Sequence, residues 1–312
     1  MKANTKGSLI LILCSFIWGM AFTAQSTATE FIGPFTFCFL RSLITSIVLF
    51  AVYPLTSRKS RRAGHRPDMK RHLILGVVLG VILFGACALQ QIGIGYTTAA
   101  NSGFITALYI ILIPIITMFM GKRIGKKVWI GVAVALVGLC LLCIKDDFSI
   151  NIGDLITLGC AFVFSFHIIV IDSYAGDMDS ILLSAIQFAT GAIVALPLML
   201  LTETPTMPNI MACWTSIIYA AVFSGAMGYT LQMVGQKYTD PTLASLLMCL
   251  ESVFAAVGGW IILGEVLSAR ELIGCLLMLS ASVIAQLPEK RSSIAGQKIS
   301  EIFKKVLTSV PR

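Results

Sequence analysis

Apolar residues in this chain are gathered into long runs that are separated by short polar stretches. Ten of these runs are close to the ~20 residues that a helix needs to cross roughly 30 Å of hydrocarbon. We number them as spans 1 to 10 in chain order: residues 7–25, 33–55, 71–92, 98–120, 124–144, 152–173, 180–201, 210–235, 241–263 and 269–287. The pattern predicts an all-α integral membrane protein with ten transmembrane helices.

The second half of the chain resembles the first half. A group of residues at the end of span 3 recurs 142 positions later: Leu89, Gln90, Gly93, Tyr96 and Thr97 match Leu231, Gln232, Gly235, Tyr238 and Thr239. In the earlier spans the offset is 146, which sets Gln187 opposite Arg41. Because each half holds an odd number of spans, the second half must enter the membrane upside down relative to the first. The sequence predicts two inverted five-helix repeats, residues 1–145 and 146–288, followed by a tail, residues 289–312.

Basic residues are concentrated on one side of this predicted topology. With a cytoplasmic N-terminus, twenty of the 23 lysines and arginines lie in cytoplasmic segments, Lys145 and Arg270 lie outside, and Arg41 lies within span 2. Cytoplasmic loops of membrane proteins carry such an excess of positive charge. We therefore expect a multi-pass protein of the cytoplasmic membrane with both termini cytoplasmic. The net charge of +8 then needs no nucleic acid partner, and the basic loop at residues 57–71 is expected to contact anionic membrane lipid.

The tail beyond span 10 combines apolar and basic residues at helical spacing. Its lysines Lys298, Lys304 and Lys305 fall on one face, and the opposite face holds Ile299, Ile302, Phe303, Val306, Leu307 and Val310. This spacing predicts a C-terminal amphipathic helix on the cytoplasmic leaflet. A disordered tail is the alternative.

Composition and motifs narrow the class of function. Hydrophobic residues make up 57% of the chain and charged residues only 12%, which excludes an ordinary soluble domain. The nine cysteines lie in spans or at their ends, without the histidine partners of a metal site. The sequence has no Gly-rich nucleotide-binding loop and no nucleophile elbow. We therefore expect no metal, no cofactor and no enzymatic activity, with an integral membrane enzyme or a ligand-sensing membrane protein without net transport as the alternatives.

Two charges of opposite sign lie inside predicted spans at similar depths, Arg41 in span 2 and Glu251 near the middle of span 9. A charge in the bilayer is costly and marks a functional pathway by default. Burial favours the neutral form of a carboxyl group, so Glu251 could be a protonation site, or it could bind a substrate cation. A structural acid that holds Arg41 or caps a broken helix is the other interpretation. For Arg41 a structural or orienting role is favoured, because its repeat counterpart, Gln187, is neutral. Whether Arg41 and Glu251 form a pair stays open at this point.

Several polar or aromatic residues could line a cavity with these charges. Trp18 in span 1 is followed by Gly19, where another backbone can approach, and His167 is the only histidine in the interior of a span. His167 could be a proton relay, or it could simply be hydrogen-bonded to a carbonyl or to water. Amides also bind helices to one another at ~0.6–2 kcal/mol each. The candidate substrate-binding or coupling residues are Glu251, Arg41, Trp18, Gln90, Asn101, Tyr109, His167 and Gln232, with Gln91 and Thr106 as further polar groups in spans 3 and 4.

A kinked helix is expected in each half. Pro114 interrupts the hydrogen-bond pattern of span 4, and its counterpart in span 9 lies beside Gly258 and Gly259. Broken helices form the binding sites of many inverted-repeat carriers.

Taken together, the motifs resemble the EamA-type branch of the drug/metabolite transporter superfamily. The resemblance rests on Trp18 and Gly19, on Pro34 leading a second span that contains Arg41, on Gly153 and Asp154 opening the second half, and on Glu265 closing span 9. It departs from the pattern at Lys122 and Arg123, opposite Glu265, and at Ser252, where a proline is common.

The resemblance implies a ten-helix bundle with cytoplasmic termini, a central cavity between the repeats, and transport of small metabolites. The predicted function is a secondary transporter, or permease, that moves a small metabolite such as an amino acid or related compound across the cytoplasmic membrane by alternating access. Proton coupling through Glu251 is a hypothesis, and the sequence does not decide between a monomer and a homodimer.

Overall fold

The structure, a computed structural model, describes residues 3–57, 67–97, 99–122, 124–143, 152–263 and 268–286. Within these ranges every regular element is helical, which confirms the all-α class there. The helices are Ala3–Thr29, Pro34–Thr56, Met69–Ile94, Ala99–Ala107, Tyr109–Phe119, Lys126–Cys143, Ile152–Tyr174, Ser180–Thr202, Met207–Ala212, Trp214–Ile218, the π-helix Tyr219–Tyr229, Thr230–Gln236, Pro241–Met248, Glu251–Leu263 and Ala269–Gln286.

Seven helical segments in the described ranges are long and apolar enough to cross a membrane, and they correspond to spans 1 to 4 and 6 to 8. Spans 5 and 10 are helices of 18 residues each, and span 9 is divided into two shorter helices. The count of ten transmembrane helices therefore stays a prediction. The basic loop at 58–66, the link at 144–151, Glu265 and the amphipathic tail at 289–312 lie outside the described residues.

Each of the seven apolar segments has one packed face and one open face. Between 44% and 61% of each apolar window is buried inside the bundle. The open faces carry large apolar side chains, as Ile193, Leu200 and Leu201 do on span 7. A soluble protein does not expose so much continuous apolar surface, so these faces are suited to lipid.

The main helix contacts join the two halves of the chain. Span 5 packs along span 10, and span 2 packs along span 7. Span 3 contacts span 6, whereas span 1 contacts spans 8 and 9, and span 4 also contacts span 6. Residues from both halves therefore meet at the centre of the bundle.

Three spans depart from a continuous α-helix. Span 4 is interrupted at Leu108, and span 9 is interrupted at Cys249 and Leu250. A kinked helix in each half was expected; in span 4 the break precedes Pro114, which itself lies inside the helix Tyr109–Phe119. A proline disturbs the turn on its N-terminal side, because it cannot bond the carbonyl four residues earlier. Span 8 contains the π-helix Tyr219–Tyr229, a form that is rare and often occurs at functional sites.

The segment between spans 6 and 7 is tied to its neighbours by polar contacts. Arg71 forms an ion pair with Asp177 at 2.6 Å, and this hydrogen bond lowers the pKa of the Asp177 carboxyl group. The backbone N–H of Asp179 donates to His72 Nε2 at 3.0 Å, while His72 Nδ1 lies 2.7 Å from the Asp68 carbonyl oxygen. An accepting Nε2 requires a neutral imidazole with its proton on Nδ1. Spans 3, 6 and 7 are thereby held together at this end of the bundle.

Candidate functional site

A polar cavity lies at the centre of the bundle. Its polar side chains, counting those of tryptophan and tyrosine, come from spans 1, 2, 3, 4, 8 and 9: Trp18, Gln25, Arg41, Gln90, Thr106, Tyr109, Ser224, Tyr229, Gln232 and Glu251. The apolar side chains of Ala21, Phe22, Phe164 and Ile168 complete the wall. The cavity volume is about 30 Å³, enough for about two waters. The cavity is therefore narrow in this conformation.

Glu251 is positioned by the break in span 9. It begins the helix Glu251–Leu263, where the helix dipole favours negative charge, and only 4% of its surface is exposed. Tyr109 Oη donates a hydrogen bond to Glu251 Oε1 at 3.3 Å. Tyr109 in turn begins the helix that follows the break in span 4. The two interrupted helices thus meet through this hydrogen bond.

The backbone of span 1 lies against the backbone of Glu251. A Cβ atom added at Gly19 would lie 2.6 Å from the carbonyl oxygen of Glu251 and 2.9 Å from the backbone nitrogen of Ala255. Both distances are far inside van der Waals contact, so only glycine fits at position 19 without a shift. The expectation of a close backbone approach at Gly19 is confirmed, and the partner is span 9.

Arg41 is as deeply buried as Glu251, at 4% exposure. Its Nη2 lies 3.4 Å from Ser224 Oγ, and its Nη1 lies 3.9 Å from Cys87 Sγ. The guanidinium carbon lies 5.7 Å from the centroid of the Tyr229 ring, within cation–π range. No ion pair within 4.0 Å links Arg41 to Glu251 or to any other described carboxylate. Both charges line the same cavity without direct contact.

The π-helix of span 8 supplies hydrogen-bond acceptors to side chains of spans 1 and 2. Trp18 Nε1 donates to the Ser224 carbonyl oxygen at 3.2 Å, and Thr45 Oγ1 donates to the Ala221 carbonyl oxygen at 2.7 Å. The Trp18 ring also packs against Tyr229, with ring centroids 4.8 Å apart. Trp18 is therefore fixed as a wall of the cavity. Sequence reasoning missed Ser224 and Tyr229, because their position depends on the register of the π-helix.

The amide candidates take different positions. Gln90 Nε2 donates to Thr106 Oγ1 at 3.2 Å, so span 3 is joined to span 4 within the cavity wall. Gln232 is buried, and its Oε1 has no hydrogen-bond partner. Gln91 Nε2 instead donates to the carbonyl oxygen of Gln25 at 3.2 Å. The side chain of Asn101 lies outside the described residues.

His167 lies behind the cavity wall and does not line the cavity. Its Nε2 is 3.1 Å from Gln187 Oε1, and its ring lies edge-on to Tyr229 at a centroid distance of 6.1 Å. Its partner is therefore a side-chain amide, rather than the carbonyl or water that the sequence suggested. Of the eight sequence candidates, the six that line the cavity are Trp18, Arg41, Gln90, Tyr109, Gln232 and Glu251.

The fold and the cavity define a multi-pass helical membrane protein with a narrow polar site at its centre. The model of the EamA-like transporter family matches this chain twice, over residues 5–144 and 151–286. The chain belongs to the EamA-like transporter family, and so to transporters rather than enzymes.

Relatives of similar length carry transporter names. An uncharacterized transporter of Archaeoglobus fulgidus is 29% identical, with 89% of this chain and 84% of the relative covered. The uncharacterized transporter YwfM of Bacillus subtilis is 26% identical, with 96% of this chain and all of the relative covered. A crystal structure of another protein, 18% identical, superposes with a TM-score of 0.75 over 91% of this chain and 97% of the other. That likeness shows the fold alone.

Proposed function

We propose that the protein is a secondary transporter that moves a small metabolite, such as an amino acid or related compound, by alternating access. One observation carries the proposal: a narrow cavity lined by residues from both family-model matches holds two buried charges of opposite sign, Arg41 and Glu251. Ionisable groups buried in membrane spans mark substrate or ion pathways by default. A molecule with both an acidic and a basic group would complement this pair.

We further propose that the chain consists of two inverted five-helix repeats, residues 1–145 and 146–288. Two close contacts support a symmetry that relates the two halves of the chain. A Cβ at Gly7 would meet Gly235, Tyr238 and Thr239, and a Cβ at Gly153 would meet Gly93, Tyr96 and Thr97. Gly7 and Gly153 are equivalent in the proposed repeat, and so are the two groups that they meet. Span 5 packs on span 10, and span 2 packs on span 7. The two members of each of these pairs are equivalent in the proposed repeat, as such a symmetry requires.

Contacts between equivalent residues support a symmetry axis that passes close to the cavity. Tyr109 contacts Glu251, and Cys87 Sγ lies 3.7 Å from Tyr229 Oη; the members of each pair are 142 positions apart. That separation equals the offset of the sequence repeat. Two equivalent groups can touch only near the axis that relates them. Rocking of one repeat against the other would then open the cavity to each side in turn.

Glu251 is the proposed site of proton coupling. Its carboxyl group is buried, and among the described residues its side chain accepts a hydrogen bond from the neutral Tyr109 hydroxyl. A charged carboxylate inside the membrane is costly unless it is paired or hydrated. When the cavity is closed, a proton or a substrate cation would remove that cost. The cavity would therefore close more readily when a proton or a substrate cation is bound at Glu251.

We propose that both termini face the cytoplasm, with lipid around the ten spans. On a background without native cysteines, Ser60→Cys should react with a membrane-impermeant maleimide only after the cytoplasmic side is exposed. Ser149→Cys should react in intact cells, because it would lie in the outer link between the repeats. Labelling of both positions from the same side would contradict the inverted arrangement.

Comparative metabolite profiling tests the proposed function. Cells that carry the protein and cells that carry an empty vector are compared for metabolites inside the cell and in the medium. A compound that redistributes only with the protein would identify the substrate, and its unchanged total amount would exclude chemical conversion. If a panel of supplied amino acids and related compounds shows no redistribution at verified membrane abundance, this substrate class is wrong.

A further inference from the structure

Arg41 also lines a second cavity, which lies between spans 2, 3 and 7. The polar groups of this cavity are the guanidinium of Arg41, the amide of Gln187, the hydroxyl of Ser42 and the thiols of Cys38 and Cys87. All of these groups can donate hydrogen bonds, and none is a carboxylate. The cavity is thus positively charged and rich in donors, although it is enclosed within the bundle.

Two donors of residues that line this cavity have no hydrogen-bond partner among the described residues. One is Arg41 Nε, although Arg41 is 96% buried. The other is Nε2 of the fully buried Gln187, whose Oε1 lies 3.1 Å from His167 Nε2. Buried polar groups are normally satisfied, and each exception calls for an explanation. Two such donors, one of them charged, point to a missing acceptor.

The positive charge of Arg41 is likewise uncompensated. Its neighbours are a hydroxyl, a thiol and an aromatic ring, which are neutral acceptors. Buried charges are usually paired with an opposite charge. Glu251 does not supply this pairing, because it lies beyond ion-pair distance and is bonded to Tyr109.

The size of the second cavity limits its occupant. Its volume is about 10 Å³, close to the space of one water-sized particle. A metabolite does not fit. A single halide ion is only slightly larger than a water molecule, so it would require a small outward shift of the walls. Gly80 and Gly191 line the same cavity, so no Cβ from either residue fills this space.

We propose that this cavity binds one small monovalent anion, held between the Arg41 guanidinium and the Gln187 amide. The anion neutralises Arg41 and fixes the orientation of a side chain that also lines the central cavity. The negative charge comes either from a free halide or from the carboxylate of a transported molecule that reaches past Arg41. The size of the cavity favours the free halide.

Thermal unfolding of the purified full-length protein tests the proposal without any transport. The unfolding midpoint is measured at constant sodium concentration and ionic strength, with chloride or bromide replacing gluconate, which is too large for the cavity. A ligand that binds only the folded state stabilises it by an amount that grows with the logarithm of its concentration above Kd. A tenfold excess over Kd should raise the midpoint by about 2 °C.

Three variants assign the effect to this cavity. Gln187→Leu should lose the halide response. Gln187→Glu should also lose it, while reaching in gluconate the midpoint that the wild type reaches in chloride, because the new carboxylate replaces the anion. Gln236→Leu is the matched control: Gln236 is a buried amide that bonds the Ile168 carbonyl, and its replacement should leave the halide response intact.

The outcomes separate the two sources of charge. A halide response that depends on Gln187 supports a free anion. A response to carboxylated metabolites alone, lost in the same variants, assigns the negative charge to the transported molecule. The proposal is overturned if neither changes the midpoint, or if Gln187→Leu and Gln187→Glu respond as the wild type does. Failure here would leave the proposed transport function untouched.

Discussion

Replacing Glu251 with glutamine is expected to abolish net transport driven by a proton gradient while leaving substrate exchange in place. Glutamine keeps the size of the side chain and can still accept the hydrogen bond from Tyr109, but it cannot take up or release a proton. We expect gradient-driven flux to fall by roughly 100-fold, as when a positioned proton-transfer group is removed. The measurement is flux in proteoliposomes with and without an imposed pH difference, using the substrate found by profiling.

Glu251→Asp is the control for this prediction, since it retains an ionisable carboxyl group and should keep part of the gradient-driven flux. The same experiment separates the alternatives for Glu251. Loss of exchange as well as of driven flux, at equal abundance of folded protein, would mean that Glu251 binds a cationic group of the substrate. Wild-type driven flux in Glu251→Gln would make the carboxyl group structural.

Adding a single methyl group at Gly19 is expected to displace the backbone that carries Glu251. In Gly19→Ala the new Cβ would lie 2.6 Å from the Glu251 carbonyl oxygen, and backbone atoms cannot rotate away as a side chain does. Overpacking of this kind costs about 1–3 kcal/mol, which outweighs the ~1 kcal/mol that alanine gains over glycine in a helix. We expect a lower unfolding midpoint and about tenfold slower transport, the loss that follows a small misplacement of a functional group.

Gly85→Ala provides a matched control for Gly19→Ala. Gly85 also lies inside a span, but a Cβ there would meet only Val163 Cγ1, at 3.9 Å, which is ordinary contact. This substitution should leave transport unchanged and should hold or raise the unfolding midpoint. Equal effects at the two positions, or no effect at Gly19, would contradict the importance of the contact between spans 1 and 9.

Four of the site residues could be predicted because they are charged, polar or amphipathic and lie in otherwise apolar segments. Arg41 and Glu251 are charges in otherwise apolar runs, and such residues stand out without any knowledge of the fold. Trp18 and Gln90 stand out in the same way, as amphipathic or polar groups within apolar spans. The structure places all four around one cavity.

The remaining features depend on packing that local sequence does not encode. The interruption of span 9 at Cys249 and Leu250 occurs without a proline, where the helix that begins with Glu251 meets Tyr109. In span 4 the interruption lies at Leu108, on the N-terminal side of Pro114, and the proline in the sequence does not by itself indicate that residue. The π-helix of span 8 turns Ser224 and Tyr229 toward the cavity. The periodicity of the sequence does not predict this π-helix. His167 drew attention as an isolated histidine, but its partner is Gln187 from the neighbouring span.

Counterflow in proteoliposomes tests the central claim, alternating access of one cavity, most directly. Vesicles that contain the purified full-length protein are loaded with excess unlabelled substrate and diluted into a trace of labelled substrate. The account predicts a transient accumulation of label above equilibrium, because a carrier returns loaded with whichever molecule it meets on each side. Equilibration without an overshoot would indicate a channel, and specific binding without entry would indicate a receptor. Either of those results would contradict alternating access.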